Sequence, residues 1–220
     1  MRRAGFTLLE LLTTIAIIAI LGTLLVPMVS EVRQRGQSAA GMAVLRNVGQ
    51  AIQLYSTENS KQLPGPLWPG QIPIYDADRS GRLVRELAPY LNIPERDQPY
   101  LVESFVPPAF PIESLGVDEP RVFVVNYEIV QEGEVVQPWG SLLGDEPVSP
   151  AQSVQLRDPA RHWAVSDADQ RHPEVTGAPW EASTPTNPIH GNTRNVLYFD
   201  GRVEAVAMSE EAVFLDEETL

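Results

Sequence analysis

Three histidines, His162, His172 and His190, fall near Asp167, Asp169 and Asp200, and these are the side chains in the sequence best suited to chemistry. A catalytic zinc needs three protein ligands and one open position. No H-E-x-x-H or comparable spacing supplies them here. Ser166, His162 and Asp167 are the residue types of a hydrolytic triad, but there is no G-x-S-x-G elbow to present the serine. Glycine-rich phosphate loops are also missing. Asp167-Ala168-Asp169 is a D-x-D pair, a pattern that offers calcium two carboxylates from an irregular loop. The same two aspartates equally read as turn caps. His190 reads as a hydrogen-bonded loop residue, and Asp200 as a residue that its turn requires. Trp68, Trp139, Trp163 and Trp180 read as a carbohydrate or peptide platform, or as core plugs. The chain has no cysteine, which excludes disulfides, thiolate metal sites and thiol nucleophiles. The expectation is a protein that is not an enzyme and has no resident cofactor, calcium at Asp167 and Asp169 being the one candidate ion.

The elements that carry these residues are marked out by proline and charge. The 220 residues hold 29 acidic and 16 basic side chains, a net charge of −13. Nucleic acid as a partner is excluded, because phosphate binding needs clustered Lys and Arg. Of the 20 prolines, only Pro27 precedes Pro64, and none follows Pro188. Helix interiors and central strands reject proline. This predicts a long N-terminal helix, a loop-rich middle and a short regular C-terminal unit.

The run Leu8–Val26 holds 19 residues with one carboxylate, Glu10. About 20 apolar residues span a bilayer as a helix. A secretory signal peptide is the rival reading, with Arg2 and Arg3 as its basic start. Against it stand the length of the run, Glu10 near its start, and the helical stripe Met42, Leu45, Val48, Ile52 and Tyr55 beyond it. One helix from about Phe6 to Glu58 is predicted, apolar all round and then amphipathic, with Gly22 and Pro27 bending or unwinding it. An unpaired Glu10 in lipid costs a few kcal/mol by order of magnitude. It either snorkels and protonates near the interface, or meets a positive partner such as a neighbouring chain's α-amino group.

Arg2-Arg3-Ala4-Gly5-Phe6-Thr7-Leu8-Leu9-Glu10-Leu11 closely resembles the processing signal of type IV pilins and type II secretion pseudopilins. The resemblance implies cleavage after Gly5 by a prepilin peptidase and N-methylation of the new first residue, Phe6. It implies that Glu10 pairs with a neighbour's terminal amine during filament assembly. Cleavage also removes Arg2 and Arg3 and takes the net charge from −13 to −15. It leaves the amine and Glu10 on one helical turn, where a carboxylate also favours the helix dipole. The basic residues flanking the run are nearly balanced, so the positive-inside rule does not orient it. The resemblance implies an N-in, single-pass protein of the bacterial inner membrane with its body in the periplasm or extracytoplasmic space.

Arg121–Val130 reads as a strand, Gln131–Glu134 as a turn into Val135-Val136, and His162–Ser166 as a second strand. A short helix is predicted within Gly81–Leu91. Asn195–Phe199, Asp200-Gly201 and Arg202–Ala207 form a β-hairpin pattern, with Asp-Gly favouring a two-residue type I′ turn. The acidic tail Ser209–Leu220 reads as a solvated helix or frayed end. His190 followed by Asp200-Gly201, an H-x9-D-G spacing, resembles the C-terminal signature of the secretion protein G-like group of pseudopilins. Several type II pseudopilins hold calcium in a C-terminal loop, although this loop does not match theirs.

The expected fold is α+β and pilin-like: a long transmembrane and amphipathic helix packed on a small antiparallel sheet with proline-rich loops. Its parts are a leader at 1–5, a membrane and filament-core helix at 6–28, an amphipathic continuation at 29–60, and a globular region at 61–220 ending in the hairpin 195–207. The expected function is that of a structural pseudopilin, with itself, other pseudopilins, the prepilin peptidase, the inner-membrane secretion platform and the membrane as partners. A type IV pilus pilin is the near alternative. A tethered binding or hydrolytic domain that uses the leader only for export is the distant one.

Overall fold

The computed structural model describes residues 8–144 and 146–209, with all their side chains except those of 24–28, 30 and 31. Gly5, Phe6 and the tail from 210 onward lie outside the described residues. Helix α1 runs Leu8–Glu58. The chain divides within it into two compact units, 1–36 and 37–220.

In the first unit α1 presents apolar side chains on every face. Leu8, Leu11, Ile15, Ile18 and Leu21 are all more than half exposed. Thr13, Thr14 and Thr23 turn their hydroxyls back onto the carbonyls of Glu10, Leu11 and Ile20. Such back-bonding hides a polar group on an apolar helix. The unwinding expected at Gly22 and Pro27 does not occur, since the chain stays helical through both. Among the described residues no helix is long and apolar enough to cross a membrane. The continuously described stretch of the apolar run ends at Thr23, and the sequence carries it on to Val26.

The second unit opens with the rest of α1, which buries one stripe: Gly41, Leu45, Val48, Gly49, Ile52 and Ser56. Strands follow at Gly70–Gln71 (β1), Ile74–Tyr75 (β2), Tyr100–Leu101 (β3), Phe123–Val125 (β4), Ile129–Gln131 (β5), Glu134–Val136 (β6), Trp163–Asp167 (β7), Thr193–Tyr198 (β8) and Val203–Ala207 (β9). Two further helices, Leu83–Glu86 (α2) and Ile112–Leu115 (α3), are single turns. The main sheet has the order β1-β4-β7-β8-β9, with every pairing antiparallel. The α+β architecture, a long N-terminal helix followed by an antiparallel sheet, is therefore as expected.

Both faces of the sheet are covered over β1, β4, β7 and β8. Phe123, Val125, Val165 and Leu197 join Leu45, Val48, Ala51 and Ile52 in one core. Their strand neighbours Val124, Val196 and Tyr198 join Trp163, Ala168, Val175 and Val206 in another. Successive strand residues point to opposite faces, so a sheet buried on both sides reads as a continuous apolar run, as in Val122–Val125.

Three local expectations change. The strand expected over 121–130 is split at Asn126–Glu128. Asn126 donates from its backbone to Ala164 and from its side chain to Trp163, and this bend separates β4 from the β5–β6 hairpin. The helix expected within 81–91 shortens to α2 and trailing turns. The C-terminal hairpin is present, but its turn is not type I′. Gly201 N donates to Tyr198 O, Tyr198 N donates to Arg202 O, and only Gly201 has positive φ, at 91°. This is a three-residue loop closed by a left-handed glycine. Phe199 lies in the loop and stacks on Trp139 with ring centroids 5.3 Å apart, which selects this register over the shorter one.

Candidate functional site

The candidate residues fall into two places. The first is the head of α1, where Glu10 occupies the first turn of the described helix, its backbone carbonyl accepting from Thr13 Oγ1 at 3.0 Å.

The second is a buried polar seam between α1 and β8. Close approach of the helix is possible there because residue 41 is glycine. A Cβ at Gly41 would stand 2.7 Å from Asn195 Nδ2 and 2.9 Å from His190 Nε2. Asn195 clamps the helix: its Oδ1 accepts from Ser38 Oγ at 3.0 Å and its Nδ2 donates to Ser38 O at 3.2 Å. Its backbone N–H donates to Asp167 Oδ2 at 2.9 Å. The same Asp167 oxygen lies 3.4 Å from His190 Nε2.

The two expected calcium ligands do not act together. Asp169 takes Arg194 in two-point contact, Nε at 2.6 Å and Nη2 at 3.0 Å, and accepts from Arg171 N at 2.9 Å. Both partners of this ion pair are 1 % exposed. Arg194 and Asn195 are neighbours on β8 and so leave it on opposite faces. Asp167 therefore serves the α1 side while Asp169 serves the other. Among the described residues no group of three or more acidic, histidine or cysteine side chains is placed to hold a metal ion.

Burial sets the charge of the Asp167–His190 pair. Loss of solvation pushes the Asp167 carboxyl up to about 7, against the lowering effect of the Asn195 N–H. It pushes the His190 imidazole down to about 4. Two charges 3.4 Å apart would attract, but both are dehydrated, and burial favours the uncharged form of each.

The histidines are not a cluster. His172 lies beyond the far face of the sheet, edge-on to Trp163 at 5.3 Å, with Nδ1 accepting from Glu174 N. Burial, helped by Arg194, holds it well below its ordinary value. His162 sits at the start of β7, where its carbonyl accepts from Phe199 N. The four tryptophans also do not share a surface. Trp139 joins the α1-side packing through Phe199 and Trp163 joins the far core, while Trp68 and Trp180 are half-buried.

The H-x9-D-G spacing acquires a packing role. Its histidine meets α1 at Gly41, and its Gly201 meets α1 at Gln53, whose Nε2 would lie 2.5 Å from a Cβ at that position. Asp200 Oδ1 accepts from Arg202 N inside the turn. The two ends of the motif thus seat β8 along three turns of helix. Sequence reasoning passed over Ser38, Gly41, Arg194 and Asn195. The signal for Gly41 was a glycine inside a helical stripe, which costs about 1 kcal/mol against alanine and so calls for a packing reason.

Comparison with known families matches residues 1–26 to the prokaryotic N-terminal methylation motif. No curated protein and no solved structure matches the chain. The match covers the head of the chain, residues 1–26. It shows a prepilin-type start, the coarse class of proteins processed and methylated at the N-terminus and anchored through that segment.

Proposed function

We propose that this chain is a pseudopilin-like filament subunit of the type II secretion class. In this reading a prepilin peptidase cuts after Gly5 and methylates Phe6, and the apolar half of α1 holds the subunit in the inner membrane before packing with sister helices. The observation that carries the reading is the placement of Glu10, the only ionisable residue from Thr7 to Val29, in the first turn of a helix matched by the methylation motif. In an assembly a neighbour's terminal amine can meet this carboxylate, because an ion pair in a low-dielectric surround is strong when both members are present.

Two features support assembly over catalysis. The histidine–carboxylate pair is closed to solvent by α1, and its partners are helix-docking groups. The H-x9-D-G spacing is accounted for by packing, and its likeness to the secretion G-like group favours a pseudopilus over a type IV pilus. The remaining partners are other pseudopilins and the secretion platform of the inner membrane.

Intact-mass analysis of the mature protein tests processing. A chain beginning at methylated Phe6 supports the reading, and an unshortened N-terminus overturns it. Glu10→Ala tests assembly: filaments should be lost while processing continues, and unchanged filaments and secretion would remove the role given to Glu10.

A further inference from the structure

We propose that a cavity beneath the second half of α1 binds a small apolar carboxylate. The cavity holds about 240 Å³. Its floor is Ile52, Leu63, Ala164 and Leu197, and the stacked pair Trp139 and Phe199 forms part of its wall. At its edge Gly49 lets the helix approach Leu197, since a Cβ there would stand 2.8 Å from Leu197 Cδ1. Small specific sites are mostly apolar with a few polar groups, and this lining combines Ile52, Leu63, Ala164 and Leu197 with Ser56, Lys61 and Ser153.

Three observations define the ligand's chemistry. Lys61, which lines the cavity, is the single lysine in 220 residues. None of the 29 carboxylates lines it, in a protein of net charge −13. Trp139 is fully buried, and its indole N–H has no hydrogen-bond partner among the described residues. A buried donor without an acceptor is costly, and a carboxylate oxygen accepts from an indole and an ammonium alike. Ser56 and Ser153, whose hydroxyls meet at 3.5 Å, add further donors to the lining. A ligand seated here touches α1, β7, β8 and the Phe199–Gly201 turn together, so its binding tightens the helix onto the sheet.

The test uses the intact chain in detergent with ¹⁵N-labelled indoles. It is titrated with 4-phenylbutyrate, and with 4-phenylbutanol as the uncharged match, to about 10 mM free ligand, the range suited to a fragment of about twelve heavy atoms. The Trp139 indole resonance, assigned by Trp139→Phe, should shift saturably while those of Trp163 and Trp180 stay in place. The acid should bind roughly threefold to tenfold more tightly than the alcohol. Lys61→Met should abolish that preference and Lys61→Arg should keep it. Lys61 is exposed, so neither variant disturbs the core. A Trp139 signal that never saturates, equal binding of acid and alcohol, or a preference that survives Lys61→Met each overturns the proposal and leaves a water-filled packing defect.

Discussion

Ile18 and Leu45 are aliphatic residues of the same helix, yet Ile18 is 67 % exposed and Leu45 is fully buried. The first belongs to a stretch with exposed apolar residues on every face. The second belongs to a stripe whose glycines admit a sheet within van der Waals distance. An all-round apolar surface is stable only in lipid or against other helices. A one-sided stripe is stable against a single globular partner. The two halves of α1 therefore carry separate jobs, and a change in one should leave the other untouched.

The largest effect should come from the body. Arg194→Met strands the Asp169 carboxylate in the far core and should cost about 3–5 kcal/mol in urea unfolding. Adding Asp169→Leu should recover most of that loss, because an apolar pair of similar volume replaces a buried ion pair at little cost. Failure of the double variant to recover would mean the pair does more than neutralise itself.

Helix glycines sharpen the contrast. Gly41→Ala should lose a net ~1–2 kcal/mol, as the new methyl drives against Asn195 and His190 faster than alanine's helix preference compensates. Gly36→Ala, which meets nothing within 4 Å, should instead gain up to about 1 kcal/mol. Equal responses at 36 and 41 would erase the distinction drawn between the two stretches.

Proton linkage at the seam gives a signal of known sign. A raised carboxyl binds a proton in the folded state that the unfolded chain releases, so Asp167 makes stability fall as pH rises from about 4 to about 7. A lowered imidazole does the reverse, so His190 makes stability fall as pH drops from about 6.5 to about 4. The two slopes oppose each other over most of this window. Asp167→Asn should remove the first, so its stability relative to the native protein should rise with pH between about 4 and 6.5. His190→Gln should tilt the same difference downward. Parallel pH profiles for both variants would show that the pair is not titrating as described.

The smallest effect should be that of Glu10→Ala on the body. Its unfolding midpoint should move by less than about 0.5 kcal/mol equivalent, as for a side chain away from any packed core, while assembly fails. A large change in body stability would break the independence of the two halves.

Much of this was legible in order. The apolar run, the proline boundary at Pro64 and the β8–β9 hairpin follow from local physics: side-chain hydrophobicity, proline's missing N–H, and glycine's tolerance of positive φ. The turn type was less legible, because Asp-Gly fits both a two-residue and a three-residue loop, and a contact from Trp139, far away in sequence, chooses between them. Asp167 and Asp169 show the limit clearly. Two residues apart, they read as one site, but the chain leaves β7 between them, and β8 delivers Arg194 to one face and Asn195 to the other.

The sequence alone determined that the chain begins with a prepilin-type motif, that Glu10 is the one ionisable residue from Thr7 to Val29, and that thiol chemistry is excluded by the lack of cysteine. These depend on composition and on neighbours along the chain. Only the tertiary structure decided that His190 and Gly201 are helix seats, that the D-x-D pair is divided between two faces, and that the single lysine lines a cavity. Those depend on which strands lie side by side, and the antiparallel register that pairs residues 28 or more positions apart is fixed by burial of β4, β7 and β8 on both faces and not by any local signal.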